Sequence, residues 1–211
     1  MKLGLICEGV QGGADELVLS ALIKRLRPSL RGPDDVDPDD PSDEPDFKIL
    51  PLENKPNLKA MCGSAAKRLM QTDGCERVGI IWDLYPKWGR DTDCARDHTD
   101  VLDSLNKAKV DLARVECLCV VAEIETWFLM DRSAIQTVIK RLAHPHPIKM
   151  PSIRKPLDIT KPKVKLIDLF KSCRVRKYQE HVHNIQIAAE VNLDRLQRCP
   201  SFADFDTRVL P

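Results

Sequence analysis

The chain has 211 residues, 43% of them hydrophobic and 31% charged, a globular balance with enough length to bury a real core. Lys plus Arg number 33 against 32 Asp plus Glu, so net charge carries no message about partners and any electrostatic signal must lie in its distribution. No apolar run approaches the roughly 20 residues that cross a bilayer, and "MKLGLICEGV" lacks the apolar core and cleavage site of a signal peptide.

In chain order, "KLGLIC" (2–7) reads as a buried strand. The glycine-bearing turn "EGVQGGADE" leads into a helix over 15–27, with an acidic start and a basic end that suit the helix dipole. Residues 31–46 are rich in Pro and Asp. The prolines between the aspartates break calcium-loop geometry, so the segment reads as a mobile, solvated acidic loop. A strand over 47–53, a helix over 58–71 and a strand over 77–84 ending in Asp83 follow. Residues 90–108 contain a third helix, 113–123 form a strand ending in Glu123, and 125–142 form one helix. Beyond 143 the chain turns Pro-rich and basic, then helical at about 163–173, 175–190 and 201–209. The strand–helix alternation predicts an α/β domain over 1–143 with a mostly parallel sheet flanked by helices. Residues 144–211 are expected as a basic helical extension packed on it. A cytoplasmic location is expected, so the eight cysteines are read without disulfides. Cys7, Cys117 and Cys119 lie in strand-like runs as small hydrophobes, and no CxxC pair marks a zinc site.

Glu8, Asp83 and Glu123 each stand at the C-terminal end of a predicted strand, and Glu125 follows two residues after Glu123. In a parallel sheet those ends share one edge, beyond which ligands bind. Uncompensated carboxylates gathered there repel one another. Protonation relieves this, and so does a divalent cation such as Mg²⁺, which takes a few carboxylates plus water and phosphate. Backbone N–H groups at the following helix start suit a phosphate. Taken singly, each carboxylate reads as a helix cap or a solvated group, Glu125 and Asp15 especially; the joint pattern favours a site.

With these residues assembled, the chain resembles Toprim-fold proteins. More narrowly it is similar to the DUF4276 family, related to the Toprim nucleases of OLD-type and AriB-type phage-defence proteins. "LICEGVQGGADE" carries Glu8 with its glycine, "IIWDLYPKW" carries Asp83, and "VVAEIETWFLMD" resembles the E-x-E-x-W/L signature of that family. "KPKVKLIDLF", Tyr178 and "RCPSFADFDTRVL" resemble its closing segment, so the likeness spans nearly the whole chain. The usual Asp-x-Asp after the third strand reads Asp83-Leu84-Tyr85, which leaves one ligand missing or supplied by Glu123, Glu125, Asp91 or Asp93. The resemblance implies a metal-dependent nuclease cutting DNA or RNA, with Glu8, Asp83, Glu123 and Glu125 as metal-binding and catalytic residues and Mg²⁺ or Mn²⁺ as cofactor. It also implies an AAA- or ABC-type ATPase partner in antiviral defence. The alternative is a catalytically inactive, Toprim-derived binding or regulatory subunit.

Residues 149–177 carry ten Lys and Arg against Asp158 and Asp168. Lys161, Lys163, Lys165, Arg174, Arg176 and Lys177 are the candidates for nucleic-acid phosphates, with a solvated lysine-rich helix face as the alternative. Trp82 and Trp127 fit core packing, while Trp88 in a loop is the candidate for base stacking. His181 reads as a surface histidine with phosphate positioning as the alternative; Phe202 and Phe205 read as core, and Ser201 as a helix N-cap. No nucleophile-elbow G-x-S-x-G and no Walker motif occurs, which speaks against a serine hydrolase or a P-loop ATPase.

Overall fold

The structure is a computed structural model describing residues 1–40, 42–85, 93–143, 148–175 and 177–210. Four strands, β1 (Leu3–Cys7), β2 (Phe47–Pro51), β3 (Arg77–Asp83) and β4 (Val115–Val120), form one all-parallel sheet in the order β2-β1-β3-β4. This is the expected architecture. β1 is buried along its whole length, as a strand covered on both faces must be.

The faces alternate residue by residue. Leu3, Leu5, Ile81, Leu118 and Val120 face one core with helices α1 (Ala14–Leu26), α4 (Glu125–Leu129), α5 (Arg132–Leu142), α6 (Pro162–Ser172) and α7 (Glu180–Glu190). Ile6, Val78, Ile80 and Trp82 face the other with α2 (Lys55–Gln71) and α3 (Cys94–Lys107). α2 and α3 approach so closely that a Cβ on Gly63 would stand 2.1 Å from the Ser104 carbonyl oxygen.

β1 leads through α1 on one face to its neighbour β2, while β3 leads through α3 on the other face to β4 on the opposite side. Opposite directions on opposite faces preserve one crossover hand. They also open a crevice beyond the C-terminal ends of β1 and β3, the switch point of a doubly wound sheet. Glu8 and Asp83 stand at those two strand ends.

The C-terminal helices complete the first core. Trp127 is fully buried against Phe202 and Phe205, with ring centroids 5.3 and 5.5 Å away. Its Nε1–H donates to Ser201 Oγ at 2.9 Å. Ser201 is thus a partner of the tryptophan rather than a cap: α9 (Pro200–Asp204) starts one residue earlier, with Cys199 at its N-cap, and runs on into a π-turn over Phe205–Val209.

Three further expectations are corrected. The single helix over 125–142 is two, because Asp131 stops the first and caps α5, accepting from the backbone N–H of Ser133 and Ala134. A short helix, α8 (Leu193–Leu196), precedes α9. The reading without disulfides fails at Cys94–Cys119. α3 runs antiparallel to the strands, so its first residue returns to the edge where β4 ends, and the two sulfurs meet. The acidic loop is exposed as expected, with Asp43 paired to Arg31, Asp35 to Lys24 and Glu44 to Lys2. Among the described residues no helix is long and apolar enough to cross a membrane.

Candidate functional site

Beyond the switch point lies a cavity of about 480 Å³. Glu8, Asp83, Glu123 and Glu125 all line it, joined by Asp15, Glu53, Glu180, Lys163, Tyr85 and His181. Four carboxylates from three strand ends therefore converge, as parallel topology dictates.

Each is placed by local structure. The backbone N–H of Asp83 donates to Glu8 Oε1 at 3.1 Å, which ties the two strand ends together. Gly9 sits at φ +96 after Glu8, where a side chain is strained, and a Cβ there would lie 3.2 Å from Asp15 Oδ2. Ala122 holds φ +82, an uncommon conformation for a residue with a Cβ, and it turns the chain out of β4 toward Glu123 and Glu125. The Ala122 carbonyl accepts from the Tyr85 N–H at 2.9 Å. Glu123 Oε2 accepts from the backbone N–H of Lys163, in the first turn of α6, at 2.9 Å. Glu125 Oε1 accepts from Asn184 Nδ2 at 3.1 Å, and Asn184 Oδ1 accepts from the Tyr178 hydroxyl.

The electrostatics follow from burial among like charges. Desolvation, then repulsion from Asp15, Glu125 and Glu8, pushes the Asp83 carboxyl well above its ordinary range. Its Oδ1 is buried without a hydrogen-bond partner. Burial pushes Glu8 up to about 7, with the Lys55 ammonium pulling the other way. Glu125 rises to about 7 through burial and the charges of Glu180 and Asp15, and Asp15 rises to about 6 for like reasons. Among the described residues, Lys163 is the lysine that lines the cavity, its Nζ paired with Glu180.

Hard carboxylate oxygens, one of them buried and unpartnered, suit a divalent cation such as Mg²⁺. Among the described residues no three carboxylate, histidine or cysteine side chains are already arranged to hold an ion. Mg²⁺ does not require such a cage, since it is commonly held by one or two carboxylates with waters and substrate phosphate completing the shell.

The basic candidates divide. Lys163 lines the cavity; Lys161, Arg174 and Lys177 are exposed and Lys165 is half-buried, and none of these four lines it. Arg176, Trp88 and Asp91 lie outside the described residues. Asp93 caps α3, accepting from the Arg96 N–H, and does not line the cavity. Asp15 and Glu180 enter the cavity unforeseen. Asp15 follows Glu8 by one turn and a helix start, which a sequence can reveal; Glu180 arrives only through the docking of α7 on α1.

Fold and site together define a doubly wound α/β protein with an acidic cavity at its switch point. The chain belongs to the family described as "Domain of unknown function (DUF4276)", matched over residues 43–210. That span holds Asp83, Glu123, Glu125, Lys163 and Glu180, while Glu8 and Asp15 precede it. No curated protein and no solved structure matches the chain.

Proposed function

We propose that this protein is a Toprim-like, metal-dependent nuclease that hydrolyses phosphodiester bonds of DNA or RNA with Mg²⁺ or Mn²⁺. The observation that carries the reading is the buried, unpartnered Asp83 Oδ1 in a cavity shared with Glu8, Glu123 and Glu125. A divalent cation bound there supplies charge neutralisation for the phosphate and acidifies a water. The chain's own part is to hold Glu8 against the Asp83 backbone and to offer Glu125 as proton acceptor. Its carboxyl near 7 suits taking a proton from water at neutral pH. Lys163 faces the same space as a phosphate contact, and the exposed Lys161, Arg174 and Lys177 extend the basic surface. An AAA- or ABC-type ATPase partner in antiviral defence rests on the resemblance alone.

The second reading, an inactive binding or regulatory subunit, is favoured by one feature. Lys163 meets Glu180 and its N–H meets Glu123, so part of the charge is satisfied within the chain. Incubation with Mg²⁺ or Mn²⁺ and plasmid, single-stranded DNA or tRNA decides between them. Cutting by the wild type that Glu8→Ala, Asp83→Asn and Glu123→Ala each reduce by at least a hundredfold is the expected result. Equal residual cutting in all four proteins is contamination and favours the binding subunit.

A further inference from the structure

Glu125 is buried in α4 and lines the cavity, yet its side-chain hydrogen-bond donor comes from 59 residues along the chain. That donor is Asn184, on α7 and only 2% exposed. An amide can present either its oxygen or its nitrogen. Here the choice is forced from behind: the Tyr178 hydroxyl donates to Asn184 Oδ1, so Nδ2 is left to face Glu125 Oε1. Tyr178 is itself clamped, its ring 4.9 Å from Phe170 and 5.5 Å from His183, centroid to centroid. His183 is fixed in turn, its Nδ1 accepting from the Gln179 N–H at 2.8 Å. A short polar chain thus runs from the core of the C-terminal helices to one oxygen of a cavity carboxylate. A buried amide used only for packing has no need of a second residue that sets which end points where. Donors of this kind, aimed at the back of a ligating or proton-accepting carboxylate, fix its rotamer.

We infer that Asn184 and Tyr178 are positioning residues that hold the Glu125 carboxylate in a fixed orientation for a divalent cation and its bound water in the cavity. The inference rests on the metal-dependent reading of the site and assigns to it two residues of the C-terminal helices, outside the strand-end carboxylates.

Mn²⁺ is the probe, with its affinity read by electron paramagnetic resonance on the full-length protein and folding read by thermal melting without metal. The informative variant is Tyr178→Phe with Asn184→Leu. It exchanges the polar pair for apolar groups of similar shape, so neither an orphaned amide nor an orphaned hydroxyl is left behind, and the stability cost is confined to the donor that Glu125 loses. The expected result is Mn²⁺ binding weakened about tenfold or more, the usual cost of losing such a partner, with an altered Mn²⁺ spectrum and a cooperative melt only a few degrees below that of the wild type. Tyr178→Phe alone, which removes one oxygen and leaves the amide in place but free to turn, is expected to weaken binding about threefold. Wild-type affinity in the folded double variant overturns the inference and leaves the metal site standing. If the double variant melts early, unchanged affinity in Tyr178→Phe overturns it instead. Wild-type protein that binds no Mn²⁺, or binds it equally well with Asp83→Asn, defeats the metal reading itself and the inference with it.

Discussion

Asp83 stands where a carboxylate costs most, at the end of an apolar strand with three acids for neighbours. Its rise in pKa, with those of Glu8, Asp15 and Glu125, is a statement about stability. Glu8 and Glu125 move from 4.5 to about 7, and Asp15 from 3.8 to about 6. Between those limits the folded chain holds protons that the unfolded chain has released. The stabilisation is therefore present below about pH 4 to 5 and is lost as pH rises through 6 to 7. Each unit of displacement is worth roughly 1.4 kcal/mol, so the cluster weakens the metal-free protein by several kcal/mol at pH 8. Thermal melts in a chelator are expected to show the melting temperature falling from pH 5 to pH 8. Mn²⁺ at pH 8 is expected to restore it by mass action. Asp83→Asn removes one of the repelling charges and is expected to raise the pH 8 melting temperature in chelator while abolishing any cleavage. A flat profile between pH 5 and 8 contradicts the electrostatics.

Helix and strand placement was legible wherever apolar periodicity was strong. β1 to β4, α1 and α2 lie within a few residues of their sequence-derived spans because parallel strands must be apolar throughout and each helix carries one apolar stripe. The break at Asp131 is hidden in the sequence because the apolar pattern runs across it. The Asp-Arg-Ser cap that splits α4 from α5 gains its force from Arg195 and the Asn192 N–H, both contacts of the folded chain. The Cys94–Cys119 link was likewise hidden, since two cysteines 25 apart on different elements give no spacing signal. It pins the start of α3 to the end of β4, which delivers Glu123. Closing a loop of that length contributes about 3 kcal/mol. Cys94→Ser and Cys119→Ser are each expected to lower the melting temperature of the oxidised protein by several degrees, as reductant does to the wild type. Reductant should then leave both variants unchanged. Equal melting of all forms, with or without reductant, removes the link from the stability of the fold.

At the scale of the whole molecule, the cavity was foreseeable in outline because topology alone gathers strand ends at one edge. Its far wall was foreseeable only at Lys163. Glu180, and Asn184 behind Glu125, come from α7, whose docking depends on side-chain fit, and of the basic candidates among the described residues Lys163 alone lines the cavity. The C-terminal helices also fill the core: Phe170 of α6, Ile187 of α7, and Phe202, Phe205 and Val209 of α9 and its π-turn belong to one apolar cluster with Leu3, Leu5 and Ile81. α7 lies along α1, and Arg25 of α1 donates to the carbonyls of Ala188 and Val191 at 2.6 Å each. A chain ending at residue 143 therefore keeps α1, α4 and α5 on that face of the sheet but loses the C-terminal helices that complete its core. Trp127 would lose both aromatic neighbours and its Ser201 acceptor, and losing packing of that size at a single buried aromatic costs about 3 to 5 kcal/mol. Several such sites exceed the total stability of a typical domain. The fragment 1–143 is expected to keep helical circular dichroism while binding a hydrophobic dye and melting without a sharp transition, whereas the full chain melts cooperatively. A fragment that melts sharply, with Trp127 fluorescence still blue-shifted, makes the C-terminal helices a separate module. The Glu180 and Asn184 contacts to the site would then be an association between modules rather than part of one folding unit.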